Sequence, residues 1–159
     1  MGLAGLAASI GARFVPGPNT GGAWLAVWTA TALVAAMIGV VSLRRKAARE
    51  GLALLAGPGR RFLLCLCPAL GVGALLTAAL ARAGQLELLP GVWLACYGAG
   101  VVAAGAFSPP IVPFTGAAFL ALGTVAFIAP AAWGDALMGL GFGVTHLVSG
   151  FIVARHHGG

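Results

Sequence analysis

The sequence predicts an all-α fold: a polytopic membrane helix bundle of six transmembrane helices, forming one domain over residues 1–159. Three observations predict it. The chain is 60% hydrophobic and 8% charged, with a mean hydropathy of +1.03. Soluble domains carry about 25% charged residues, so lipid rather than water must cover most of this surface. Several stretches without charge also reach the roughly 20 helical residues that cross a hydrocarbon core. Finally, Arg44, Arg45, Lys46, Arg49, Arg60 and Arg61 crowd one short connection, where Glu50 is the only acid.

The first apolar piece, about 2–15, is short for a span and ends at Pro16-Gly17-Pro18-Asn19. It lacks the basic start of a signal peptide, so the expectation is a first membrane helix, short or truncated at its start. A count of five helices is the alternative. The second helix, about 21–43, runs into the basic connection 44–61, expected to be a loop broken by Gly57-Pro58-Gly59. Within it, Arg44 to Leu55 fits an amphipathic turn on the membrane surface, with Leu52, Leu54 and Leu55 dipping inward. The third helix, about 62–81, stops before Gly84. The fourth, about 88–107, stops at Ser108-Pro109-Pro110. The fifth, about 111–129, stops at Pro130, and the sixth covers about 133–154.

Positive charge marks the cytoplasmic side of a membrane protein. The basic connection is therefore expected inside, in a bacterial inner membrane, with both termini cytoplasmic and Arg155-His156-His157 as an inner anchor. Trp24, Trp93 and Trp133 then start inward-running helices at the outer interface, where an aromatic belt belongs. The segment Gly22-Ala23-Trp24-Leu25-Ala26-Val27-Trp28 also resembles Gly91-Val92-Trp93-Leu94-Ala95-Cys96-Tyr97, which raises an internal repeat of three helical hairpins.

The net charge of +6 does not mark a nucleic-acid binder, because no basic face is interleaved with polar and aromatic groups. It points instead to anionic lipid at the basic loop. Cys65 and Cys67 face nearly opposite sides of a helix and Cys96 is alone. The expectation is small apolar fillers and no metal site. Small residues four apart let membrane helices approach closely: Ala35/Gly39, Gly73/Thr77, Ala95/Ala99, Gly139/Gly143 and Gly150/Ala154. Such faces serve packing within the bundle, and the one on the last helix is the candidate contact to a membrane partner or a second copy.

One readily ionisable residue, His146, lies deep in a span, and such residues are functional hypotheses by default. Gly139, Gly143, His146 and Gly150 fall on one helical stripe, so His146 is expected to face the bundle. Tyr97 sits at similar depth and can bond to it. Ser149, Thr77 and Thr124 are other candidates. His146 is then either a satisfied structural group or the centre of a ligand site with Tyr97, Ser149 and Thr124. A bis-histidine haem has no second deep histidine to use. No carboxylate lies mid-membrane, and HExxH, GxSxG, a phosphate-cradling loop and CxxC are missing from the sequence. The expectation is a non-enzyme with no catalytic residues and no cofactor.

Several passages resemble a family of small uncharacterised bacterial multi-pass membrane proteins. These are Leu55-Ala56-Gly57-Pro58-Gly59-Arg60-Arg61-Phe62, then Pro90-Gly91-Val92-Trp93 through Tyr97-Gly98-Ala99-Gly100, and Ala104-Gly105-Ala106-Phe107-Ser108. The ending from Ala131-Ala132-Trp133-Gly134-Asp135 through His146 to Arg155-His156-His157-Gly158-Gly159 is similar as well. The resemblance covers most of the chain from Trp24 onward. It implies a longer amino-terminal part and an association with a helix-turn-helix regulator, and it brings no catalytic residues. Ser108-Pro109-Pro110 departs from it, lacking a basic residue after the serine. The leading expectation is an interaction or accessory subunit of the membrane. The alternative is a small-molecule binding or permeation protein with a midplane site at His146, Tyr97 and Thr124.

Overall fold

In lipid each backbone polar group must be satisfied within the chain, which leaves helices or closed barrels. The computed structural model describes residues 1–15, 17, 22–49, 57–106 and 108–156, and among them there is no strand. The helices are α1 (Gly2–Gly11), α2 (Gly22–Arg49), α3 (Gly57–Ala83), α4 (Leu89–Gly105), α5 (Ile111–Ile128), α6 (Gly134–Met138) and α7 (His146–His156). A π-helical segment, Gly139–Thr145, joins α6 to α7. Five spans are long and apolar enough to cross a membrane: Gly22–Arg45, Gly59–Ala83, Leu86–Gly105, Ile111–Ile128 and Ala131–His156. The protein is a polytopic membrane helix bundle. α1 is the short element: its 10 residues rise about 15 Å, half of a hydrocarbon core of about 30 Å.

Alternate spans run in opposite directions, so the ends of the bundle differ. Trp24, Trp93 and Asp135 mark one, the tryptophan end. The last turns of α2 and α7 and the first turn of α3 mark the other, the basic end.

α4 is the centre, with 44% of its span buried against 6% for α2 and for α3. Its closest neighbour is α5, and glycines let the two backbones touch. A Cβ on Gly116 would lie 2.6 Å from the Val102 nitrogen, and one on Gly98 would lie 2.8 Å from the Gly116 carbonyl oxygen. Gly123 meets Ala95 in the same seam. On its other side α4 receives α3, where Gly100 faces Leu66 and Ala69. α1 lies on the last span instead: a Cβ on Gly5 would come 2.5 Å from the Phe142 carbonyl oxygen. α2 is outermost and rests mainly on α1, with the Met1 methyl group against Gly39.

Two boundaries differ from expectation. α2 continues through Arg44, Arg45 and Lys46 to Arg49, and α3 begins at Gly57 and takes in Arg60 and Arg61. Gly57-Pro58-Gly59 therefore starts a helix and does not break one. Proline in a first turn loses no hydrogen bond, because those N–H groups have no helical partner. The basic residues sit on helix ends that outrun the hydrocarbon, not on an extended loop. Glu50 and the expected surface leucines Leu52, Leu54 and Leu55 lie outside the described residues, as do Pro16, Pro18, Asn19, Phe107, residues 157–159 and the side chains of Lys46 and Arg49.

The α3–α4 turn is built as its glycine requires. Gly84 has φ +70°, Gln85 N–H donates to the Leu80 carbonyl at 3.0 Å, and Gly84 N–H donates to Ala81. This is a left-handed C-terminal cap that favours glycine. A 3₁₀ turn, Leu86–Leu88, then leads into α4, which carries Pro90 in its first turn.

Substitution of glycines separates seam from surface. Gly116→Ala forces the α4 and α5 backbones apart and is expected to cost about 1–3 kcal/mol. Gly150→Ala, at a position with nothing within 4 Å, should stay within about 0.5 kcal/mol. Reversible unfolding in mixed micelles reads both. Equal effects would contradict the seam.

Candidate functional site

His146 is the first residue of α7, directly after the π segment. Its Nε2 lies 2.8 Å from the Tyr97 hydroxyl, joining the last span to α4. Phe119 of α5 stands edge-on to the imidazole at 5.3 Å and 75°, and Phe142 stacks on it at 6.2 Å and 18°. Tyr97 packs on both phenylalanines, 4.8 Å from Phe119 and 5.3 Å from Phe142. Phe119 is fully buried. The box closes because residue 141 is glycine: a Cβ there would lie 2.6 Å from Leu94 and 3.1 Å from Phe119.

The second ring nitrogen makes no hydrogen bond of regular geometry. His146 Nδ1 is buried and has no hydrogen-bond partner among the described residues, although the Gly141 backbone approaches the ring. The π segment is a second departure from regular helix at the same place, with Thr145 Oγ1 donating to the Leu140 carbonyl five residues back at 3.0 Å. Such segments are rare and recur at functional sites.

The other expected site residues separate. Ser149 pairs with Thr115 of α5 at 2.7 Å and does not reach His146. Thr124 is exposed and donates to the Leu120 carbonyl of its own helix at 3.0 Å, so no midplane site includes it. Thr77 accepts from the Trp93 indole at 2.8 Å. The expected stripe also splits. Gly139 meets Ser9 and Gly143 meets Leu6, both on α1, while a Cβ on Gly150 would meet nothing within 4 Å among the described residues. His146 shares no face with Gly139 and Gly143 because a π turn turns the following helix by about one residue, roughly 100°. Phe119, Phe142, Gly141 and Thr115 were not singled out in the sequence. Only the spacing of Phe142, four before His146, hinted at the box.

The tryptophan end corrects the belt. Trp24 is 1% exposed and Trp28 3%. Both indoles donate to one oxygen of Asp135, Oδ1, at 2.8 and 2.9 Å. Trp24 stacks on Trp93 at 5.7 Å and 12°, and Trp93 continues the chain to Thr77 of α3. Trp133 alone keeps the exposed placement of a belt residue. Asp135 lies in the first turn of α6, where the helix dipole favours a carboxylate.

Among the described residues no three His, Cys, Asp or Glu side chains converge on one point, and Cys65, Cys67 and Cys96 are free thiols. These features define a multi-pass membrane protein with two internal polar anchors, at Asp135 and at His146. Comparison with protein families, curated proteins and solved structures finds no match.

Two substitutions test the anchors. Asp135→Ala strands two buried indole donors, at about 1–3 kcal/mol each, whereas Asp135→Asn keeps an acceptor oxygen and should lose less. Unfolding followed by tryptophan fluorescence measures both, and an unchanged Asp135→Ala protein would refute the anchor. For the second pair, a double-mutant cycle of Tyr97→Phe and His146→Phe should give a coupling of about 1 kcal/mol. A value near zero would mean that the hydrogen bond adds nothing.

Proposed function

We propose that the protein is a non-enzymatic accessory subunit of the bacterial inner membrane, whose basic end lies in the cytoplasm and whose outer helices meet a partner. The observation that carries this reading is the uneven burial of the spans. α2 and α3 cross the membrane with 6% of each span covered, while α4 reaches 44%. Leu33, Met37, Leu70 and Leu75 are among the large apolar side chains that they expose. The exposed Gly150 face of α7 adds a surface on which another helix can approach closely. Both chain termini would be cytoplasmic, and the basic helix ends suit anionic headgroups or a soluble regulatory partner. The family resemblance, with its helix-turn-helix regulator, supports the latter.

Two experiments test this reading. Mild-detergent copurification with crosslinking in cells should return a second chain or a homo-oligomer, and a lone monomer would overturn the proposal. Orientation is tested in a cysteine-free background. Arg45→Cys should resist membrane-impermeant thiol reagents in intact cells and Arg82→Cys should react. The reverse pattern would invert the topology.

One observation favours a second reading, a small-molecule site at His146 and Tyr97: the buried Nδ1, without a hydrogen bond of regular geometry, beside the π segment. A ligand recovered from the native host should protect the wild type against heat and fail to protect His146→Ala. Equal protection would remove the site.

A further inference from the structure

The last span runs in one register with a second within reach. Its face on α4 and α5 passes from Gly141, against Leu94 and Phe119, to His146, against Tyr97, a step of five residues. Its face on α1 passes from Gly143, against Leu6, to Leu147, against Gly2. A π turn acts as one inserted residue, so each residue beyond it stands where its predecessor would stand in a regular helix. Closing Gly139–Thr145 to α-helix therefore turns α7 by about 100° and moves each of its residues into the place of the next. Thr145 then stands opposite Tyr97, His146 beside Gly2, Val148 opposite Thr115, and Ser149 in the open place of Gly150.

The chain is equipped for both registers. Tyr97 keeps a partner in either, because Thr145 brings a hydroxyl where His146 brings an imidazole. In the π form that hydroxyl is turned aside and donates to the Leu140 carbonyl five residues back. In the α form His146 joins Gly139 and Gly143 on the α1 face, the stripe that regular helical periodicity gives these positions. No residue of α7 is fully buried, so the turn displaces little packing. We propose that the last span is a two-register switch, with His146 on Tyr97 in the π form and Thr145 on Tyr97 in the α form. The exchange sets a regular backbone ladder against the Tyr97–His146 and Thr115–Ser149 bonds, and it carries a change at depth to Arg155 at the basic end. It rests on neither the accessory-subunit reading nor the ligand site.

Spin labels on Leu64→Cys of α3 and Phe151→Cys of α7, two exposed positions, read the register in the full chain. The protein carries no other cysteine and is reconstituted into phospholipid nanodiscs. A side-chain tip about 5 Å from the helix axis moves by about 8 Å in a turn of about 100°. Double electron–electron resonance should therefore show two distance populations. Deleting Val144, an exposed residue of the π segment, removes the inserted residue. A regular helix then brings His146 to Tyr97, and only the first population should remain. His146→Leu, which removes a bond from the π form alone, should raise the second population about fivefold. A single population in the parent protein would overturn the proposal. So would two populations that persist after deletion of Val144, or that keep their ratio in His146→Leu.

Discussion

One carboxylate holds the outermost span in place. Asp135 Oδ1 accepts from both Trp24 and Trp28, and beyond its packing on α1 the outermost helix has only 6% of its span buried. Between helices in lipid there is no hydrophobic driving force, so close packing and hydrogen bonds must set position. Charge-assisted bonds in a low-dielectric setting are among the strongest available. From Asp135 the connection passes through the Trp24–Trp93 stack to Thr77. α2, α3, α4 and the last span are thereby tied together at the tryptophan end. Toward the basic end the ties are apolar: α3 packs on α4 where Leu66 and Ala69 meet Gly100, and α2 meets α1 where Met1 meets Gly39, while most of the outer surface of both helices stays open to lipid or a partner.

The middle of the bundle is held differently. Glycines at 98, 116 and 123 bring α4 and α5 into backbone contact, and Gly2 and Gly5 do the same for α1 against the π segment. The π segment is itself rich in glycine, at 139, 141 and 143. Gly139 and Gly143 admit α1 on one side, and Gly141 admits Leu94 and Phe119 on the other. Side chains at these positions would hold both neighbours away and would leave His146 and Tyr97 too far apart to bond.

Much of this was legible in the sequence. Composition and hydropathy gave the class and the spans, because a chain so poor in charge has one solvent that can cover it. Depth alone paired Tyr97 with His146: two polar groups near the middle of different spans have few other partners. The stripe through Gly139, Gly143, His146 and Gly150 failed because it assumed α-helical periodicity across a π segment, and nothing in a glycine-rich run announces the change of period. The tryptophan belt failed for another reason. Interface placement and burial against an acid predict the same position along a helix, and only three dimensions show that Trp24 and Trp28 turn inward to Asp135. Gly57-Pro58-Gly59 misled because proline and glycine mark a helix start as readily as a stop.

The two polar anchors also explain why a π segment is there. Asp135 and His146 are 11 positions apart, which in a regular α-helix is about 1,100°, within about 20° of three full turns. They would then share a face. Here they serve different neighbours, Asp135 reaching α2 and His146 reaching α4 and α5. Adding about one residue's rotation between them, roughly 100°, lets one span satisfy both. Trp28 and Tyr97 occupy matching places in the two similar segments that begin at Gly22 and Gly91. Each sends an aromatic donor or acceptor to the last span, one on either side of the π segment. The irregular turn thus sets the two polar groups of one span toward different neighbours, and each finds its partner there.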